Sequence, residues 1–517
     1  MRSAAATTTD DEPAKTVPHA ASRPPADHLA RRCGLAVLTA AAVAAAVLGL
    51  LSVQRYRNFQ EARFDLGNVV QVVFNTAHGH VLEASDPSGQ EVSRLASHVD
   101  PVLAVFAVPW LVWPNPAMLL VAQAVIVALA AWPAYRLGLR ILGDPRAAMC
   151  CAFALLLYPP LEYAVLNDFH AVTLAIPLLL WGFLFLEEDH RWRAVALLAL
   201  AALCKEEVPL VIAFMGCYFA LRKRALWPLA VTAGALAYFA LAVFVVIPHF
   251  NHAASPFIGR YSQYGDTAGA VARHILLHPV SAITDYFAPR NVIYQVKLLA
   301  PFAFASLLSP LTALIALPEL ALNGLSATAA QRSIEYHYVA AEVPVLFAAA
   351  VLGLARIGRY LTTRRRPREA LESGDDGARR WSLRLALVVL AACLIANYVA
   401  GPLPFALPGA RFGFERYAVG NHARTIGAAI AGIPANAAVS AQNRIGGHLS
   451  ARRTVYLYPY IGAARYVVLD KHGIGYLGLN EPPPEKRLFA VAQALLSSPR
   501  FRLIFNRGGV LVYERVD

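Results

Sequence analysis

Several titratable side chains interrupt apolar stretches of this sequence, and the first is Asp65 in RFDLGNVVQVVFN. A carboxylate held close to a membrane surface can accept the proton of an incoming hydroxyl group, as a general base does. Aspartate directly before an apolar-periodic segment is also a common helix N-cap. Position alone does not decide between these roles, so Asp65 is a candidate catalytic residue with capping as the alternative.

Two short motifs place a histidine near an aspartate. In SHVDP, His98 and Asp100 could share a metal ion or a proton, although Asp-Pro is also an ordinary signal for a helix start, and that simpler interpretation is favoured. In NDFH, Asp168 and His170 could bind a phosphate or a sugar hydroxyl group, with helix capping by Asp168 as the alternative. Both motifs are candidate substrate-binding sites.

Three consecutive charges, at Lys205, Glu206 and Glu207, interrupt the apolar stretch LLALAALCKEEVPLVIAF. Successive residues of a helix point in different directions, so these three cannot all pair with one another. Ionisable groups with such apolar flanks favour a function over a plain exposed turn. Lys205 could hold an anionic phosphate as a point charge.

The segment QRSIEYHY adds Arg332 and His337 to the candidate substrate-binding residues. The forked guanidinium of arginine suits a phosphate group. A solvated loop is nevertheless the simpler explanation for Arg332 taken alone.

These candidates must be positioned by helices that cross a membrane. Hydrophobic residues make up 57% of the 517 residues and charged residues 15%, whereas a soluble domain has roughly 25% charged residues. The apolar residues form long uncharged runs, and runs of roughly 18 residues match the ~30 Å hydrocarbon thickness of a bilayer. The sequence therefore predicts an α-helical polytopic membrane protein with about 11 transmembrane helices. Besides the run after Arg32, the predicted spans are 117–136, 147–160, 171–187, 193–205, 206–221, 226–247, 297–309, 311–325, 337–357 and 383–401.

The formal net charge of +13 comes from basic residues that cluster between predicted spans, as in 222–224 and 364–368. This is the positive-inside pattern, which sets topology and attracts anionic membrane lipids, and it argues against a nucleic-acid partner. It places the N-terminus in the cytoplasm. The segments then predicted outside are 54–116, 161–170, 248–296 and everything after residue 402.

The chain divides into three predicted parts. Residues 1–30 lack a helical apolar period and are predicted to be a disordered cytoplasmic tail. Residues 31–403 form the membrane domain, with 54–116 as a large outer loop. Short β-type runs and one helical segment over 404–517 predict a small extracytoplasmic α/β domain, in which FRLIFNRGGVLVYERV forms two strands around a Gly-Gly turn. The six cysteines lie in or beside apolar spans, so neither a disulfide framework nor a CxxC metal motif is predicted.

Several motifs together resemble a bacterial membrane protein family of unknown function, number 2079, over residues 60–475. The motifs that carry the resemblance are RFDLGNVVQVVFNTAHG, SHVDPVL, YPPLEYAVLNDFHAVTLAIPLLL, CKEEVPL, LPELALNGLS, YHYVAAEVPVLFAAAVLG and IPANAAVSAQNRIGGHLSARRTVYLYP. That family is grouped with the GT-C glycosyltransferases. These multi-span enzymes take a sugar from a polyprenyl-phosphate lipid donor on the outer face, and they carry a catalytic acid in the first outer loop.

The resemblance implies a GT-C-like fold, a location in the bacterial plasma membrane and specific residue roles. Asp65 matches the first-loop acid, Asp168 the acid at the outer start of a later span, and Lys205 the lysine that follows. Many of these enzymes carry two closely spaced acids in that loop, whereas Leu66 and Gly67 follow Asp65 here. A divalent metal requirement is therefore in doubt. A second carboxylate would have to come from Glu83, Asp86 or Asp100.

The leading hypothesis is a glycosyltransferase in which Asp65 is the general base. Lys205, helped by Arg332 or His170, would stabilise the phosphate leaving group, where negative charge develops. A transporter or flippase is the first alternative, because short spans near residues 205 and 310 resemble the broken helices of transporters. The second alternative is a non-catalytic membrane scaffold.

Overall fold

The computed structural model describes residues 25–365, 374–473 and 483–517. Most of the predicted tail, residues 1–24, and part of the basic segment around 366–373 lie outside the described residues. Helix α1 begins at Pro25, inside the predicted tail. Proline is favourable at the first helical position, because the missing N–H would have no partner there anyway.

Helices account for most of the chain up to residue 400. The first group is α1 (Pro25–Arg57), α2 (Asn68–Ala77), α3 (Ala107–Val112), α4 (Pro116–Ala128), α5 (Ala131–Leu142), α6 (Pro145–Leu156), α7 (Pro159–Leu166), α8 (Ala175–Glu187), α9 (Arg191–Ala202), α10 (Val208–Lys223), α11 (Pro228–Leu241) and α12 (Ile247–Asn251). The second group is α13 (Ala268–Leu277), α14 (Pro279–Tyr286), α15 (Pro289–Leu299), α16 (Pro310–Ala313), α17 (Leu317–Leu325), α18 (Glu342–Arg365) and α19 (Gly374–Ala400).

Local sequence explains where these helices begin and end. The side chain of Asp144 accepts hydrogen bonds from the backbone N–H groups of Arg146 and Ala147, which caps α6. Gly143, at φ +67°, ends α5 in the left-handed conformation that glycine adopts without strain. At Gly138 an added Cβ would lie 3.0 Å from Cα of Ala148, so the missing side chain lets α5 and α6 approach closely.

Five helices of the described residues are long and apolar enough to cross a membrane: His28–Arg57, Pro116–Leu142, Pro228–Asn251, Glu342–Arg364 and Arg379–Ala400. The pair α6 and α7, bent by 42°, raises the total to six if it forms one span. Several other predicted spans are shorter helices. At 1.5 Å per residue, a helix of 12 to 16 residues is roughly 18–24 Å long, which is less than the ~30 Å of hydrocarbon. The predicted total of about 11 spans stays a prediction.

The segment between α1 and α3 folds back on itself as α2 followed by a two-stranded hairpin. Strand β1 (Glu83–Ser85) pairs antiparallel with β2 (Glu91–Ser93). This hairpin lies against the C-terminal part of the chain, because the N–H of Leu457 donates to the carbonyl oxygen of Pro87.

The C-terminal part contains a sheet, as the sequence predicts. Its strands are β3 (Val439–Ala441), β4 (Val455–Leu457), β5 (Tyr466–Asp470), β6 (Phe501–Arg507) and β7 (Val510–Arg515). Their spatial order is β4-β3-β5-β7-β6; β3 pairs parallel with β4 and β5, and β7 pairs antiparallel with β5 and β6. The helices of this part are α20 (Asn421–Ile430), α21 (Asn443–Gly446) and α22 (Pro483–Leu496). The predicted Gly-Gly turn is confirmed, with Gly508 and Gly509 at φ +57° and +82° between β6 and β7.

Candidate functional site

A cavity of about 640 Å³ lies where the segment between α1 and α3 meets the segments that follow α7, α9 and α12 and the segment before α18. The predicted site residues that line it are Asp65, His98, Asp100, His170, Lys205 and His337. These residues come from five separate stretches of the sequence. Tertiary structure therefore brings most of the predicted site into one space.

Asp65 lies in a π-helical turn, Arg63–Gly67, that leads into α2. The N-cap of this turn is Ala62 and that of α2 is Gly67, so the capping alternative for Asp65 is wrong. The Asp65 side chain is 45% exposed, and its Oδ1 lies 3.4 Å from Nε2 of His170. The carboxylate is therefore accessible from the cavity and has a histidine partner.

His170 is oriented by its second ring nitrogen. Nδ1 lies 3.0 Å from the carbonyl oxygen of Asn167, which can only accept, so we assign a hydrogen to Nδ1. Nε2 can then donate to Asp65 only when the imidazole is cationic. Burial raises the pKa of Asp65, but the hydrogen bond of His170 and the charges of His170, Arg94 and His98 together lower it by more, so the net pKa is lowered. Asp65 is therefore held as a carboxylate.

Asp168 does not line the cavity, and its side chain instead binds the backbone of the Asp65 turn. Its Oδ1 accepts from the backbone N–H of Ala62 at 2.9 Å and of Leu66 at 3.2 Å. Its own N–H donates to Oε2 of Glu61 at 3.0 Å. Burial, and then the charges of Glu61 and Asp65, raise the pKa of Asp168 well above its usual range. Asp168 does act as a cap, but for a turn more than 100 residues earlier in the chain.

Lys205, Glu206 and Glu207 lie in a turn between α9 and α10. Because this turn is not helical, Lys205 can reach Glu207, and Nζ lies 2.5 Å from Oε1. Glu206 instead accepts from Nδ1 of His98 at 2.9 Å and from the N–H of Val99 at 3.0 Å. Glu206 and Glu207 thus do not line the cavity, but they pair with His98 and Lys205, which do.

Asp100 pairs with an arginine that the sequence analysis missed. Arg94 donates to both carboxylate oxygens, from Nε at 3.1 Å and from Nη2 at 2.7 Å. The shared proton or metal suggested for His98 and Asp100 is therefore not what the structure shows, because each has a different partner. Arg94 lies only six residues before Asp100, but no motif in the sequence links the two. Only the fold shows that their side chains meet.

Among the residues that the structure describes, no second carboxylate beside Asp65 in the cavity is free to bind a metal ion. Asp100 is paired with Arg94, the Asp86 side chain accepts from Ser88 and Gln90 of its own turn, and Glu83 pairs with Arg453. In the described part of the chain, no group of three or more His, Cys, Asp or Glu side chains could hold a metal ion. The described residues around Asp65 therefore do not fit a bound divalent metal ion.

A second missed residue, Arg260, lines the cavity, whereas the predicted Arg332 does not. The Arg260 guanidinium lies 4.4 Å from the ring of Phe257 and 5.6 Å from that of Tyr338. Lys205 Nζ lies 5.5 Å from the centroid of the same Tyr338 ring. Two cations, Lys205 and Arg260, therefore contact Tyr338. Arg332 donates instead to the backbone carbonyl of Ser326. Local sequence offered no signal that separates these two loop arginines.

His337 completes the predicted set. Its ring stacks on that of His170, with centroids 3.4 Å apart and planes 21° apart. His337 is only 8% exposed, and its Nδ1 has no hydrogen-bond partner among the described residues. It therefore fixes the plane of the His170 ring from one side.

The model of the predicted membrane protein family DUF2079 matches residues 55–484. The chain belongs to this family. Every residue that lines the cavity falls inside the part matched by DUF2079. With its long apolar helices, this DUF2079 chain is a membrane protein, as the sequence predicts. The side of the membrane on which each terminus lies stays a prediction.

Among solved structures, the DUF2079 chain is similar to the crystal structure of ArnT from Cupriavidus metallidurans bound to undecaprenyl phosphate. The two sequences are 12% identical, the TM-score is 0.46, and the match covers 92% of this chain and 97% of that chain. No curated protein matches the sequence significantly.

Proposed function

We propose that this protein transfers a sugar from a polyprenyl-phosphate donor to an acceptor hydroxyl group at the outer face of the plasma membrane. The observation that carries the proposal is the cavity itself. It combines an ionised carboxylate, Asp65, that is held by His170, with two cations, Lys205 and Arg260, that flank Tyr338. A base and a phosphate-binding pair are the two functions that such a transfer needs.

Asp65 acts on the acceptor. Its carboxylate accepts the proton of the acceptor hydroxyl, and the oxygen attacks the anomeric carbon of the donor sugar. The bond from that carbon to the phosphate oxygen breaks, and the electron pair leaves with polyprenyl phosphate. His170 keeps the carboxylate oriented and ionised before the transfer, because its Nε2 faces Oδ1 of Asp65.

Lys205 and Arg260 act on the leaving group. Negative charge accumulates on the phosphate as the bond breaks, and cations already in place stabilise it without reorganisation. Lys205 is buried and paired with Glu207, so its position is set in advance. Arg260 has aromatic neighbours on the cavity wall and can present its guanidinium fork to phosphate oxygens. Arg260 therefore stabilises the phosphate leaving group together with Lys205, the role that the sequence analysis predicted for Arg332.

An apolar groove supports a lipid-linked donor. It measures about 930 Å³, lies between α9, α10 and α11, and is lined by residues such as Leu198, Leu203 and Tyr238. Leu203 directly precedes Cys204 and Lys205, which line the polar cavity. A donor with its tail in the groove would therefore place its phosphate near the cations.

The proposal is tested by sugar transfer in proteoliposomes with a panel of radiolabelled polyprenyl-phosphate sugars. Wild-type protein is compared with Asp65→Asn, and Asp266→Asn serves as the matched control, because Asp266 is exposed in the outer loop and does not line the cavity. We expect transfer by the wild type and the control, and loss in Asp65→Asn while it still elutes as a folded monodisperse protein. Transfer from no donor in the panel would refute the proposal.

Proton-coupled transport is the second candidate, and one specific observation favours it. Glu319 in α17 is 2% exposed, and its Oε2 has no partner among the described residues. An ionisable group buried in an apolar helix of a membrane protein is typical of proton pathways. Proton flux into dye-loaded proteoliposomes, abolished by Glu319→Gln and unaffected by Asp65→Asn, would favour transport over transfer.

A further inference from the structure

The turn that carries Asp65 is attached to the C-terminal domain. Arg63, two residues before Asp65, is 1% exposed, and its Nη2 donates to three carbonyl oxygens. Two of them, Ser85 at 2.8 Å and Asp86 at 3.2 Å, belong to the first outer loop. The third, Val455 at 3.0 Å, is the first residue of β4 in the C-terminal sheet. One buried guanidinium thus joins the two parts of the chain.

A second contact reaches the backbone next to Asp65. The N–H of Phe64 donates to Oδ1 of Asn443, the first residue of α21, at 3.1 Å. The backbones approach closely here, because a Cβ added at Gly446 would lie 3.1 Å from Cβ of Arg63. At Gly447 it would lie 3.2 Å from the carbonyl oxygen of Glu61. Glycine at both positions lets α21 and the turn that follows it lie against the Asp65 turn.

The opposite side of the same turn is held by the membrane part. Asp168 accepts from the N–H groups of Ala62 and Leu66, and Asn443 accepts from that of Phe64. Three alternate amides are therefore bound by side chains from two different parts of the chain. The direction in which Asp65 points depends on both attachments, since the first N–H groups of a helical turn have no partner within the turn itself.

We infer that the C-terminal domain is a positioning element of the cavity, and that Asn443 is the positioning residue that fixes the Asp65 turn. Asn443 does not line the cavity and acts only through the turn. The consequence for catalysis rests on the proposed function. The attachment itself does not rest on the proposed function, because it concerns only how the backbone of residues 62–67 is held.

The test uses the full-length protein in nanodiscs and three variants. Asn443→Ala removes the acceptor for the Phe64 amide, and Asn443→Asp restores an acceptor oxygen of the same reach. Asn506→Ala is the matched control, because Asn506 is an exposed residue of β6 in the same domain. Hydrogen–deuterium exchange of the segment 62–67 is measured by mass spectrometry, together with kcat and KM for sugar transfer.

We expect exchange in 62–67 to become about tenfold faster in Asn443→Ala, since a protected amide has lost its partner. Asn443→Asp should exchange like the wild type, and so should Asn506→Ala. In transfer, Asn443→Ala should lower kcat and leave KM for the donor nearly unchanged, because the donor contacts Lys205 and Arg260 and not the turn.

Two results would overturn the inference. Exchange in 62–67 that is the same in Asn443→Ala as in the wild type would show that the domain does not hold the turn. Faster exchange with an unchanged kcat would show that the turn does not set the activity. If the wild type transfers no sugar at all, the proposed function fails, and the exchange result alone decides whether Asn443 holds the turn.

Discussion

Nε2 of His170 lies 3.4 Å from Oδ1 of Asp65, while Nδ1 of the same ring lies 3.0 Å from the carbonyl oxygen of Asn167. The histidine is thereby fixed between a carbonyl that only accepts and a carboxylate that accepts while it is ionised. This arrangement makes the protonation state of Asp65 dependent on His170, and the dependence can be measured.

The pH profile of transfer should depend on His170. Burial raises the pKa of Asp65, but the hydrogen bond of His170 and the charges of His170, Arg94 and His98 together lower it by more. The base form therefore persists at acidic pH, and activity is lost only as pH falls through that lowered pKa. His170→Asn removes the hydrogen-bond partner of the carboxylate, so the acid limb of kcat/KM should move to higher pH. The measurement is the pH–rate profile of both proteins. Superimposable acid limbs would contradict the pairing.

Arg260 and Arg332 provide a matched pair of arginine substitutions. Arg260→Ala should lower kcat/KM about ten- to a hundredfold, since a hydrogen bond to a charged group is worth about 1.5–3 kcal/mol. Arg332→Ala should stay near the wild type, because Arg332 lies outside the cavity and contacts Ser326. Steady-state kinetics with varied donor would check this. An equal loss in both variants would restore the sequence-based assignment of Arg332.

Asp168 should matter for stability as an acceptor more than as a charge. Asp168→Ala leaves the buried amide of Leu66 without a partner, at about 1–3 kcal/mol, and also the half-buried amide of Ala62, at a smaller cost. Asp168→Asn keeps an acceptor oxygen and should be milder. Thermal unfolding in detergent, followed by intrinsic fluorescence, measures the difference. If Asn destabilises as much as Ala, the negative charge is what the fold requires.

The apolar groove can be filled without a local clash at Gly234. A Cβ added there meets nothing within 4 Å, and Gly234 lines the groove. Gly234→Trp should raise KM about tenfold for a long-chain donor, since each buried CH₂ of the lipid contributes about 0.8 kcal/mol. For a donor with a very short chain, Gly234→Trp should have the same KM as the wild type. Gly269→Trp, on the exposed helix α13, is the control. An equal KM for long-chain donor in both variants would exclude the groove as the tail site.

The predicted orientation places the C-terminal domain outside the cytoplasm. Asn506→Cys puts a thiol on the exposed edge strand of that domain. We expect a membrane-impermeant maleimide to label it in intact cells, since the positive-inside pattern places everything after residue 402 outside. Labelling only after the membrane is permeabilised would reverse the topology.

The sequence by itself determined the class of protein and the chemistry available. Long uncharged runs predict membrane helices, because the length of a run can be compared directly with the bilayer thickness. Alternating residues around Gly508 and Gly509 predict the final hairpin, because these signals are local to the chain. The candidate residues for the cavity were also identifiable, because charged groups next to apolar sequence are costly and therefore conspicuous.

Only the tertiary structure decided which of these groups meet. His98 pairs with Glu206 and not with Asp100, Asp168 supports the turn of Asp65 and not its own helix, and Arg260 replaces Arg332. The physical reason is distance along the chain. His98 and Glu206 are 108 residues apart, and Ala62 and Asp168 are 106 apart. Periodicity and capping report on neighbours within a few turns, whereas these pairs form only once the helices between them have packed.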